Sequence, residues 1–129
     1  MRDLEAMKRI NLTAMTIEQL VQRFAKIGIE QDNVERLEDR PKYNRLYWQA
    51  NAVETELRNR GKDERQALLT LYDSPNMQVR LNAATATLAV VPEQARHALQ
   101  AIRESRWFPQ AGYAGMLICG LDDGSFKPT

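Results

Sequence analysis

Apolar residues return every three or four positions along most of this chain, the spacing of helices that bury one face. Ile17, Leu20, Val21, Phe24 and Ile27 make the first such stripe. Thr16-Ile17-Glu18-Gln19 stands in front of it with the form of a capping box, in which the Thr16 hydroxyl accepts from Gln19 N–H and the Gln19 side chain reaches back. Gly28 weakens that helix, and the polar stretch 29 to 40, anchored by Val34 and Leu37, reads as a loop or a short helix. Pro41 suits a first helical turn. From there Tyr43, Leu46, Tyr47, Ala50, Val53 and Leu57 form a second stripe, with Gly61 placed to end it. Asp63 is positioned to cap a third helix whose core residues are Leu68, Leu69, Leu71 and Tyr72.

Ser74-Pro75-Asn76 is a turn signal, and the next helix spans about 77 to 90. On it Val79, Ala83, Ala86 and Val90 fall in one row and Ala84, Leu88 and Val91 in the next. Only Gln78, Asn82 and Thr85 remain as a narrow polar strip, so this helix is expected to be buried on most of its circumference. Pro92-Glu93 opens a further helix with Ala95, Ala98, Leu99 and Ile102 as its buried stripe and Glu93, Arg96, His97, Gln100, Arg103 and Glu104 facing water. Pro109 ends that segment. Tyr113 to Leu121 is a last, glycine-interrupted helix, whose Gly112, Gly115 and Gly120 allow close approach. No alternating Val/Ile/Thr run marks a strand. The spacing therefore predicts an all-α fold of about five to six helices. Residues 15–129 read as a single domain. Residues 1–14 are either an extension upstream of Met15 or a short helix using Leu4, Met7 and Ile10.

One residue breaks the pattern of the 77–90 helix. Arg80 lies inside its apolar arc, in the first turn, where a long side chain reaches back over the preceding turn while its stem stays packed. A guanidinium there needs acceptors, and Asp73 or the carbonyls of the turn are within reach. Arg80 is thus expected to tie the turn to the helix.

The stretch "ALLTLYDSPNMQVRLNAATATLAVVP", Ala67 to Pro92, resembles a HEAT repeat: Leu68, Leu71, Pro75, Val79, Arg80, Ala83 and Leu88 fit the outline. It departs from that outline at Ser74, where the turn's acidic residue usually stands, and at Leu88, one place late. A longer likeness runs from Met15 to Thr129. "TIEQLVQRF", the "PNMQVRLNAA" turn and the ending from "SRWFPQAG" to "FKPT" resemble a small bacterial helical family of unknown function. The resemblance implies a HEAT-like right-handed α-α superhelix and brings no activity with it.

Composition narrows the function. The net charge is +1, and ten basic side chains balance ten acidic ones between Thr16 and Arg65, whereas proteins held to nucleic acid by phosphate contacts carry a clear basic excess. Nucleic acid is therefore disfavoured as a partner. No segment approaches the roughly 18 apolar residues of a membrane span. A single cysteine, Cys119, fits the reducing cytoplasm and reads as a small buried hydrophobe. His97 is the only histidine and lies on a polar face, far from Cys119. No metal set, cofactor motif or catalytic constellation is visible.

What remains is binding. Trp48 falls off the apolar stripe of its helix, so either a second layer covers it or it is an exposed anchor of the kind common in binding hot spots. Arg96, Arg103 and Arg106 stand near Trp107 and Phe108, a combination that suits anions, bases or protein surfaces. Alternatively Trp107 and Phe108 plug the helix end. Trp48, Arg96, Arg103, Arg106 and Trp107 are the candidate binding residues. The expected role is a non-enzymatic protein-protein interaction module, such as an adaptor, regulator or immunity-type protein; a HEAT-like nucleic-acid or nucleotide binder is the alternative.

Overall fold

A computed structural model of the chain describes residues 11–129. The suggested short helix at Leu4, Met7 and Ile10 lies outside the described residues. Among those residues every regular element is helical: a 3-10 turn at Asn11–Ala14, α1 at Ile17–Arg36, α2 at Arg40–Arg58, a 3-10 helix at Glu64–Asp73, α3 at Met77–Thr87, α4 at Pro92–Ser105 and α5 at Gln110–Asp123. The all-α expectation holds. The chain divides into two compact units, up to Ala67 and from Leu68 onward, and each is described by itself.

In the first unit α1 and α2 pair along their apolar stripes. The capping box at Thr16 is present in both directions, Gln19 N–H donating to Thr16 Oγ1 at 3.1 Å and Thr16 N–H to Gln19 Oε1 at 2.9 Å. Gly28 does not end α1. It is buried, as are Ile27, Gln31 and Val34, so the helix runs on to Arg36 because its continuing face is covered, and packing outweighs the roughly 1 kcal/mol helix cost of a glycine. Leu37, expected as an anchor, is instead 77% exposed just past the helix end. On α2 the stripe Leu46, Ala50, Val53 and Leu57 is buried as predicted, but Tyr47 is exposed. Tyr47 lies 100° from Leu46 on the helix, at the edge of the covered arc.

Arg65 was not singled out by its sequence pattern, yet it is buried. Its guanidinium holds both Asp63 oxygens, with Nε and Nη2 donating at 2.7–3.1 Å, and approaches Glu54 at 3.7 Å. Asp63 also accepts from Arg65 N–H at 3.1 Å, so the predicted cap exists, although what it opens is a 3-10 helix rather than an α-helix. The hydrogen bonds from Arg65 hold the Asp63 carboxyl below its ordinary value of 3.8. Burial pushes Glu54 upward from 4.5, against the pull of the Arg65 charge.

The second unit is built around α3. Gln78, Val79, Leu81, Ala83, Ala84, Ala86 and Thr87 are all buried, so the helix is covered on most sides, as its pattern requires. Leu81, Ala84 and Leu88 join Ala95, Leu99 and Ile102 of α4 and Ala114 and Ile118 of α5 in one core. Covering α3 this fully enclosed part of its polar strip as well. Gln78, expected to face water, is buried: its Nε2 donates to Asn82 Oδ1 at 2.9 Å and its Oε1 accepts from Gln110 Nε2 of α5 at 3.0 Å. Tyr72 meets Thr87 Oγ1 at 2.6 Å. Since Thr87 spends its own proton on the Ala83 carbonyl at 2.8 Å, Tyr72 is the donor. Burial raises the Tyr72 pKa above 10.0.

Arg80 behaves as its position implied. Its Nε donates to the Ser74 carbonyl, a turn carbonyl rather than Asp73, which is exposed. The glycines of α5 accept side chains rather than whole helices. Where Gly115 would carry a Cβ, the Arg103 stem lies 3.6 Å away; at Gly120, Phe126 Cβ lies 3.0 Å away, and Phe126 N–H donates back to the Gly120 carbonyl.

Two stability outcomes follow. Asp63→Asn should cost about 1 kcal/mol at pH 7, the range of a partly exposed pair. A depressed carboxyl contributes stability that is present above the unfolded pKa and lost as pH falls through the lower folded one. Urea unfolding should therefore show the gap between wild type and Asp63→Asn closing as pH drops below 3.8; a gap independent of pH contradicts the pairing. Arg80→Ala should lower stability by about 1–3 kcal/mol. This is less than the roughly 3–5 kcal/mol of a broken buried ion pair, because the partner is a neutral carbonyl and Arg80 is only half-buried. An unshifted urea midpoint would show that the contact is idle.

Candidate interaction surface

The end of α4 and the start of α5 carry the most unusual surface of the second unit. Ser105 closes α4: its hydroxyl donates to the Ile102 carbonyl and accepts from Trp107 N–H at 3.1 Å. Between them Arg106 is the helix cap, in the left-handed region at φ 57°. Glycine usually fills that place, and a side chain there costs about 1–2 kcal/mol. The reversal directs the next residues outward. Trp107 is 62% exposed and Phe108 68% exposed, so the two do not plug the helix end. Ile102 of α4 and Ala111 and Ala114 of α5, by contrast, are buried.

Phe108 lies against Gly112, its ring 3.8 Å from the position a Cβ would take. One turn further along the same face stands Met116, 72% exposed. Gly112, Met116 and Cys119 share this outward side of α5, opposite Ala111, Ala114 and Ile118. Cys119 is therefore exposed rather than buried. Phe108 and Met116 thus form an apolar strip with Trp107 at its end.

The candidate arginines separate. Arg96 is tied to Asp122 at 2.8 Å, across the α4–α5 seam. Arg103 lays its aliphatic stem on Gly115 of the same seam and remains exposed. Arg106 is exposed at the cap. Among the described residues neither Arg103 nor Arg106 has a carboxylate partner. Arg96 is thus engaged in an ion pair, whereas Arg103, Arg106 and Trp107 are exposed at the C-terminal end of α4. His97 is exposed on the water-facing side of α4.

Trp48 belongs to the first unit and is considered alone. It is 65% exposed, so no second layer covers it, and it meets the exposed Tyr47 edge-to-face, ring centres 5.1 Å apart at 86°. Met116 and Tyr47 are the surface residues that sequence reasoning missed. Helical phase contains the signal for Met116, which falls about 200° from Ile118. Tyr47 gave no such signal, because its position borders the buried stripe.

Among the described residues no helix is long and apolar enough to cross a membrane, and no three His, Cys, Asp or Glu side chains converge as metal ligands. No curated protein matches the chain. It is similar to a solved structure, described as "Crystal Structure of the Protein RPA1889 from Rhodopseudomonas palustris CGA009", at 50% identity over 92% of this chain and 98% of that one, with a TM-score of 0.89. Residues 18–122 match the family described as Domain of unknown function (DUF2019), and the chain belongs to that family.

Proposed function

We propose that this protein is a non-enzymatic protein-binding module, and that Trp107, Phe108 and Met116 form its contact surface with Arg103 and Arg106 at the rim. The observation that carries this reading is the exposure of three large apolar side chains around one helix-helix corner. Single exposed hydrophobes are ordinary; grouped ones with an aromatic and an arginine component match the composition of interface cores. The left-handed Arg106 agrees with this, since a locally unfavourable backbone is the means by which Trp107 and Phe108 are turned outward. Trp48 with Tyr47 offers a smaller aromatic surface on the first unit. The HEAT-like character of Ala67 to Pro92 belongs to the same reading, because helical stacks serve as binding platforms. The 3-10 form of Glu64–Asp73 departs from that repeat's first helix. Nucleic acid is the weaker reading: Arg96 is spent on Asp122 and the net charge is only +1.

A photo-crosslinking residue at position 116 should capture a specific protein in cells, and one at the exposed, polar position 104 should not. With that protein purified, Trp107→Ala combined with Met116→Ala should raise the dissociation constant at least tenfold, about 1.4 kcal/mol, with no fall in thermal midpoint. His97→Ala should leave it unchanged. Equal capture at positions 104 and 116, or an unaltered constant in the double variant, would refute the surface.

A further inference from the structure

A pocket opens between α3 and α4, lined by Tyr72, Met77, Arg80, Ala98, Ala101, Ile102 and Ser105, with a volume of about 80 Å³. A water needs about 10–15 Å³ on this scale, so the space admits about five to eight water-sized atoms. Most of its wall is apolar, contributed by Met77, Ala98, Ala101 and Ile102.

Its polar groups are unequal. The Tyr72 hydroxyl proton is committed to Thr87. The Ser105 hydroxyl donates to Ile102 and accepts from Trp107. Arg80 differs. A guanidinium carries five N–H donors in a rigid fork; one is used on Ser74, and the other four have no protein acceptor among the described residues. Holding Nε on a backbone carbonyl fixes the plane of the fork and leaves the Nη pair as its free edge. That edge matches the two oxygens of a carboxylate. Because the fork is already oriented, little side-chain freedom remains to be lost on binding.

We propose that the α3–α4 pocket binds a carboxylate borne on a short aliphatic chain, with Arg80 holding the carboxylate and Met77, Ala98, Ala101 and Ile102 enclosing the chain. A four- or five-carbon branched acid fills the available space. The carboxylate comes either from a free small acid or from the C-terminus of a polypeptide ending in an aliphatic residue. The proposal does not use the Trp107 surface, so either can fail without the other.

The test is a nitrogen-15 NMR titration of the full chain with sodium isovalerate, compared with isovaleramide and with sodium chloride at equal ionic strength. Isovalerate should produce saturable shifts confined to the amides of Met77, Arg80, Ala98, Ala101 and Ser105, and the other two should produce none. Arg80→Gln should weaken binding at least tenfold. Since that change also frees the Ser74 carbonyl, Ala101→Phe is the second variant: it fills the pocket while leaving the Arg80–Ser74 contact, and should abolish the shifts with the thermal midpoint retained. Acetyl-glycyl-leucine, with a free or an amidated C-terminus, separates the two sources. Tighter binding of the free-acid dipeptide than of isovalerate assigns the pocket to a chain end, and the reverse assigns it to a small acid. Shifts scattered over the surface, an equal response to isovaleramide or chloride, or undiminished binding in both variants would overturn the proposal.

Discussion

A helix with almost no outward face is the constraint around which residues 68–129 are organised. α3 is short and rich in alanine, and its neighbours cover most of it. Burying it removes its polar groups from water, where an unpaired donor or acceptor costs about 1–3 kcal/mol. Much of that cost is met. Gln78 is answered by Asn82 and by Gln110 of α5, Thr87 by its own helix carbonyls and Tyr72, and one of the five Arg80 donors by Ser74. These bonds also fix which neighbours can sit against α3, since an apolar contact alone tolerates sliding while a buried amide pair does not.

The same economy of space accounts for what lies on the surface. Alanines on α3 and α4, and small residues on α5, let the helices approach closely enough that the core is filled by Leu81, Leu99, Ile102 and Ile118. Trp107, Phe108 and Met116 stay outside that core, in positions that follow from helical phase and from the reversal at Arg106. The pocket beside Arg80 lies where Ala98 and Ala101 of α4 face Met77 and Tyr72.

The first unit handles charge by a different route. Its buried cation, Arg65, is held by a carboxylate two residues away and by Glu54 from the preceding helix. Asp63 and Glu54 respond oppositely to that cation: direct hydrogen bonds dominate for Asp63, and loss of water dominates for Glu54. Two carboxyls beside one guanidinium thereby differ in the cost of ionisation.

Local pattern determined much of this protein on its own. Helical periodicity, the Thr16 capping box, Pro41 in the first turn of α2, and the burial of α3 with Arg80 bent back to its turn were all legible, because each depends on residues within a few positions of one another. Tertiary structure decided the rest. Gly28 stays helical because a neighbour covers it, Gln78 is buried because Gln110 arrives from thirty-two positions away, Arg96 is taken by Asp122, and Cys119 faces out because α5 presents its other side to the core. Periodicity reveals that a helix has two faces. It does not reveal which borderline residue a distant segment will reach, since that depends on the volume left once the larger side chains have been placed.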